Sequence, residues 1–147
     1  MTWVKPEIPA DERHVSMMLG FLAQDIRQAL AGSDWHGLRM SHFRVLSGVP
    51  RDGGVTITEL AERVGMTKQG CGQFVTQLCE TGHLETRPNP ADRRTRVVVR
   101  TPLGRRTMRR VIARNEQLER IWARKVGPKR YAQFRTVLEE LAHPSVM

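Results

Sequence analysis

"TITELAERVGMTKQGCGQFVTQLCETGHLETRPNPADRRTRVVVR", residues 56–100, is the stretch whose reading decides the fold. Its first half carries two short apolar periodicities, each preceded by a threonine and separated by a glycine. Thr58 is placed to cap a helix ending at Val64, and Gly65 supplies a left-handed stop. Thr67 then caps a second helix whose apolar stripe is Cys71, Phe74, Val75 and Leu78, closed by Gly82. Two capped helices joined through a glycine fit a helix-turn-helix, and a generic helical hairpin fits the same pattern.

The second half changes period. Leu84–Arg87 and Arg96–Arg100 alternate as strands, with Val97 and Val99 on one face, and the eight residues Pro88–Thr95 form the tip of a hairpin. Pro88 and Pro90 fix φ and stiffen that tip without needing a core. Arg93, Arg94 and Arg96 are thereby carried outward on a short ribbon.

Working outward, a first helix is expected after Pro9, with Asp11 and Glu12 in its first turn opposing the helix dipole. Val15, Met18, Leu19, Leu22, Ile26 and Leu30 recur at helical spacing, and Gly32 closes it. A second helix spans Ser41–Leu46 with Phe43 and Leu46 inward. "PRDGG" (50–54) reads as a turn, with one short strand over Val55–Ile57. After the ribbon, a long helix starts at Leu103 with Met108, Val111, Ile112, Leu118 and Trp122 on its apolar face. Gly127-Pro128 breaks it, and a last helix carries Tyr131, Phe134, Leu138 and Leu141.

The charge pattern bears on the partner. The 147 residues hold 24 Lys and Arg against 15 acidic residues, a net charge of +9. Between Arg87 and Arg130 lie 15 basic and 3 acidic residues, so the remainder of the chain is slightly acidic. Such segregation points to a polyanion-facing region. "MTWVKPEIPADER" has no apolar core of a signal peptide, and Val15–Ala23 is about half the length that spans a bilayer. A cytoplasmic protein without a membrane partner is expected. Cys71 and Cys79 fall on one helix about 12 Å apart, too far for a disulfide, which needs Cα atoms within about 7 Å. No cofactor-binding motif is present, and the five histidines show no metal-ligand spacing.

A helix-turn-helix followed by a basic hairpin has the shape of a winged helix. A helix about 10–12 Å across fits the major groove, and an arginine-bearing ribbon suits the minor groove and the phosphates. Residues 58–105 resemble the MarR family of prokaryotic transcriptional regulators, through "LAERVGMT", "LCETGHLETRPNPADRR" and "VVVRTPLGR". The resemblance implies a mainly α (α+β) fold: a winged helix-turn-helix lobe at 55–101 with a helical dimerisation region from both termini, 11–32 and 103–143. It implies a homodimer on a pseudo-palindromic operator in double-stranded DNA, with half-sites about 34 Å apart. It further implies a repressor released by a small aromatic or phenolic ligand.

Carried over to matching positions, Thr67 caps the recognition helix and touches a phosphate. Lys68, Gln69 and Gln73 occupy its exposed early turns, where glutamines pair with adenine edges. Gln77, one turn later, meets the backbone. Arg94 is similar to the family's minor-groove arginine, with Arg93 and Arg96 beside it, and Asp92 holds an arginine and the tip in shape. Met17, Phe21, Trp35, His36, Met40 and Phe43 are candidates to line an effector cleft, or simply core. The sequence departs from the family at Gly70 and Gly72, inside the recognition helix. Glycines there allow either ordering on DNA, a close approach to it, or plain drift.

Two other regulators fit the same residues. One is an architectural protein that coats DNA with little sequence preference. The other is a thiol-based redox sensor, in which Cys79, near His83, has a lowered pKa. Cys79 with His83 makes a poor catalytic pair because no acid orients the histidine, so enzyme activity is not expected.

Overall fold

In a computed structural model, residues 3–31 and 35–143 are described. Eight helices and strands follow in order among them: α1 (Val15–Leu30), α2 (Met40–Gly48), α3 (Ile57–Val64), α4 (Lys68–Glu80), β1 (Leu84–Pro88), β2 (Arg96–Arg100), α5 (Pro102–Val126) and α6 (Pro128–Ala142). The protein is mainly helical with a two-stranded antiparallel sheet. The chain forms two compact units, Met1–Ala31 with Ala113–Met147, and Gly32–Ile112. No helix among the described residues is long and apolar enough to cross a membrane.

The lobe formed by Gly32–Ile112 has a core of Val45, Leu46, Val49, Val55, Leu60, Cys71, Leu78, Leu84 and Val98, all buried. These residues come from α2, α3, α4, the sheet and the segment between α2 and α3, so the helix pair and the hairpin share one apolar centre. Gly65 ends α3 at φ +67, and Met66 follows with its N–H on the Ala61 carbonyl. That left-handed residue reverses the chain within three residues and sets α4 against α3. The C-terminal carbonyls of α2 accept from two arginines, Arg63 on Gly48 at 3.3 Å and Arg100 on Ser47 at 3.4 Å. Arg100, at the base of the hairpin, thus serves the fold. At the start of α5, a Cβ on Gly104 would stand 2.1 Å from the His83 carbonyl oxygen. Only glycine lets α5 lie that close to the segment leaving α4.

Several local expectations are corrected. Asp11 and Glu12 occupy a separate 3-10 turn, Ala10–Glu12, and α1 begins only at Val15. Arg13 breaks the path: its Nε donates to the Ile8 carbonyl and its backbone leaves helical angles. Helix α1 ends at Leu30, and Gly32 lies outside the described residues. The cap of α3 is Thr56, whose Oγ1 accepts from the Glu59 N–H at 3.2 Å, while Thr58 is inside the helix. In place of a strand over Val55–Ile57 there is one bridge, Val55 with Val98, made by bonds of 3.1 and 2.7 Å. Helix α2 is longer than Ser41–Leu46 at both ends, and Ile112 is about half exposed.

In the other unit, Glu119 on α5 accepts from Tyr131 at 2.7 Å and Arg135 at 2.9 Å on α6, and Lys5 pairs with Asp25 at 2.6 Å. Much apolar surface stays outside, from Val15 (67% exposed), Met18 and Leu19 on α1 to Val137, Leu138 and Leu141 (80%) on α6. Two open cavities of about 350 and 290 Å³ lie here. Leu22, Trp122, Tyr131 and Phe134 line both.

Candidate nucleic-acid interface

Helix α4 is divided by its sequence into two faces. Cys71, Val75 and Leu78 are buried, while Lys68, Gln69, Gln73, Thr76 and Gln77 are exposed. Thr67 Oγ1 accepts from the Gly70 N–H at 3.0 Å, which settles one of the orphan amides at the helix N-terminus. The outward surface therefore offers a cation, two unburied carboxamides at Gln69 and Gln73, and a positive dipole end. Such groups recognise base edges and phosphates. Thr76 was not singled out from sequence. It belongs to the same face, although its hydroxyl is turned back to the Gly72 carbonyl at 3.0 Å.

Gln77 is differently placed. Its Oε1 lies 2.7 Å from Nε2 of His42 on α2, so one end of its carboxamide is engaged inside the protein.

The two glycines of α4 are not equivalent. A Cβ at Gly70 would press to 3.0 Å of Thr67 Oγ1, the capping oxygen, whereas one at Gly72 would meet nothing within 4 Å.

The hairpin pairs Leu84 with Arg100 through Pro88 with Arg96, leaving Asn89–Thr95 as the tip. Two side-chain turns build that tip. Asn89 Oδ1 accepts from the Ala91 N–H and Asp92 Oδ1 from the Arg94 N–H, each at 3.0 Å. Asn89 Nδ2 also donates to Thr95 Oγ1 at 2.9 Å, and Thr95 Oγ1 donates to the Asp92 carbonyl at 3.1 Å. Among the described residues, Asp92 thus binds the main chain of Arg94 and no guanidinium. Asn89 and Thr95 were missed from sequence, although the Asn89-Pro90 dipeptide is a recognisable turn signal.

The wing arginines divide. Arg93 and Arg94 are exposed, and neither is in an ion pair among the described residues. Arg96 is held along the ribbon, its Nη2 donating to the Thr86 carbonyl and hydroxyl, each at 3.1 Å. Arg87 pairs with Glu85 two residues back. The tip therefore projects two unneutralised guanidinium groups, while the ribbon's other arginines brace it.

The six residues expected near an effector fall in both units. Met17 and Phe21 lie in the terminal unit, where Phe21 packs on Trp3 with ring centroids 5.7 Å apart. Trp35, His36, Met40 and Phe43 lie in the lobe. There Trp35 is buried edge-on to Phe43 at 5.3 Å, and the Arg110 guanidinium stands 4.5 Å from the Trp35 ring centre. His36 is exposed, has φ +55, and packs its ring 5.5 Å from that of buried His83. None of the six lines the two cavities described above.

The thiol reading with a lowered Cys79 pKa is corrected. Burial pushes the Cys79 thiol up, and the carboxylates of Glu85 and Glu80 push it further. Burial also raises Cys71. His83 is no base for Cys79: its Nδ1 lies 2.8 Å from Thr81 Oγ1 and its Nε2 3.1 Å from Thr107 Oγ1. Among the described residues, no group of three or more His, Cys, Asp or Glu is arranged to hold a metal.

Comparison with known proteins agrees with this geometry. The sequence model of the MarR family matches residues 36–95, which span the helix pair and most of the hairpin. The HTH-type transcriptional regulator PetP of Rhodobacter capsulatus is 30% identical over 113 residues, covering 77% of this chain and 68% of PetP. The crystal structure of MarR has a TM-score of 0.75 at 20% identity, covering 96% of this chain and 93% of that one. The PcaV transcriptional regulator from Streptomyces coelicolor, solved in complex with its natural ligand, has a TM-score of 0.70 at 19% identity. That match covers 94% of this chain and 97% of PcaV.

Proposed function

This chain belongs to the MarR family of transcriptional regulators, and we propose that it works as a cytoplasmic homodimer that represses transcription from a pseudo-palindromic operator in double-stranded DNA. The observation that carries the reading is the pairing of a polar, exposed α4 face with a braced tip bearing two unneutralised arginines. Thr67, Lys68, Gln69 and Gln73 are assigned to the major groove and its flanking phosphates, with Gln77 on the backbone. Arg94 enters the minor groove with Arg93 beside it, Arg96 contributes charge from the ribbon, and Asp92 shapes the tip.

Dimerisation is supported by the apolar side chains that α1, α5 and α6 leave uncovered, since burying such surface is the main drive for association. Two-fold symmetry then places the two α4 helices about one turn of DNA apart, roughly 34 Å.

Release by a small aromatic or phenolic ligand is the second part of the proposal. That a ligand acts at all draws on PcaV, solved with its natural ligand, and the aromatic class draws on the aromatic and cationic cluster of Trp35, Phe43 and Arg110. His36 and Met40, also in the lobe, belong to the same candidate set, and Met17 and Phe21 are separate candidates within the other unit.

Selection of duplexes from a random pool, followed by titration against bulk DNA, tests the DNA reading. A repressor returns one palindrome and prefers it by about 10³-fold or more at physiological salt. Equal affinity for all duplexes would instead make this an architectural DNA-binding protein.

A further inference from the structure

His42 is buried in the lobe, yet both of its ring nitrogens are occupied. The Arg39 N–H lies 3.1 Å from Nδ1, and Gln77 Oε1 lies 2.7 Å from Nε2. A main-chain N–H can only donate, so Nδ1 must keep its lone pair and the ring proton sits on Nε2. Nε2–H therefore donates across to α4, and the atom that receives it must be the oxygen of the Gln77 carboxamide. The one group whose role is not negotiable thus fixes both the tautomer and the orientation of the amide. Phe74, on the same helix as Gln77, stands perpendicular to the imidazole at 5.1 Å, so the ring is held on its flank as well.

We propose that His42 is a positioning residue for DNA binding. It holds the Gln77 oxygen inward, so that the amide nitrogen on the exposed side of α4 is offered to a backbone phosphate. The inference rests on the proposed function, in which the exposed face of α4 meets DNA. An unconstrained glutamine presents either end of its amide and samples many rotamers, and ordering it on contact costs entropy. Here the side chain is already ordered, and only its donor end remains available. The main-chain amide of Arg39 is the start of this relay, four residues beyond Trp35. The N-terminus of α2 is thereby joined to the recognition helix by a continuous pair of hydrogen bonds.

The test is a double-mutant cycle on the full chain, using a palindromic duplex selected by the wild-type protein. His42→Leu and Gln77→Leu are each expected to weaken binding about tenfold per half-site, the scale of one hydrogen bond to a charged group. The double variant is expected to be no weaker than Gln77→Leu, because one residue acts through the other. The dependence of affinity on salt should keep its slope, since neutral groups release no counterions. Gln77→Glu retains an acceptor for His42 but has no donor for phosphate, and should bind no better than Gln77→Leu. Additive losses in the cycle, or wild-type affinity in Gln77→Leu or Gln77→Glu, would overturn the proposal. The two Gln77 variants alter an exposed side chain, so the question stays answerable if His42→Leu fails to fold. Wild-type protein that holds no duplex at all would instead refute the DNA reading on which this rests.

Discussion

The Asp92 carboxylate receives the main-chain N–H of Arg94 at 3.0 Å, so the only acid of the wing tip shapes the backbone that carries one of its two exposed arginines. Its negative charge is incidental to that task. Asp92→Asn keeps an oxygen acceptor and removes a repulsive charge, so it should bind DNA at least as tightly as wild type. Asp92→Ala should bind several-fold more weakly. Arg94→Ala should weaken binding to every sequence and lower the salt slope by about 0.9 for each phosphate that the arginine neutralises. Fluorescence anisotropy across a salt series reads all three variants, and an unchanged slope for Arg94→Ala would remove that residue from the interface.

The glycines of α4 should respond differently to alanine. Gly72→Ala adds a methyl group into open space and should stabilise the protein by about 1 kcal/mol, the usual helix-interior difference. Gly70→Ala crowds the Thr67 oxygen and should gain less than that. Urea denaturation compares them. If Gly72 permits close approach to DNA, the stabilised Gly72→Ala variant will bind more weakly, whereas a marked rise in affinity would favour ordering of the helix on DNA.

Acid should loosen the lobe through His83. Burial, followed by repulsion from His36, lowers the pKa of this imidazole. The unfolded chain, with an ordinary histidine near 6.5, takes up a proton more readily than the folded one. Stability is therefore intact above about pH 6.5 and falls as the pH drops below it. A His83→Gln variant should show a flatter profile over that window. Equal slopes of unfolding free energy against pH in the two proteins would dismiss His83 as the source.

Both thiols should be sluggish. Raised pKa values at Cys71 and Cys79 leave little thiolate at neutral pH, which is the species that reacts. Alkylation at pH 7 should be slower than for an unstructured peptide thiol, and DNA binding should survive mild peroxide in both wild type and Cys79→Ser. Abolished binding in wild type alone would restore the redox reading.

What could be read from the residues was what short range decides. Gly65 needs a left-handed backbone and Thr67 needs only an amide three residues on, so both roles are written locally. Thr56 and Thr58 are equally good caps in isolation. The choice between them follows the bridge from Val55 to Val98, a contact made across the lobe. The β-branched run Val55–Ile57 reads as a strand locally, but only Val55 bridges to Val98, Thr56 caps α3 and Ile57 begins the helix. Within the candidate interface, exposed polar positions on α4 follow from helical period. That Arg96 bonds to Thr86, or Gln77 to His42, depends on which elements become neighbours, and no local pattern encodes it. The acidic turn at Asp11 and Glu12 misled for the opposite reason: good first-turn residues were present, but Arg13 folds back on Ile8 before the helix can begin.

The most direct test is binding of the purified protein to its selected palindrome, with the mass of the complex measured by light scattering. Two chains per duplex are expected, with affinity that falls steeply as salt rises. One chain per duplex, or no complex even at low ionic strength, would contradict that expectation.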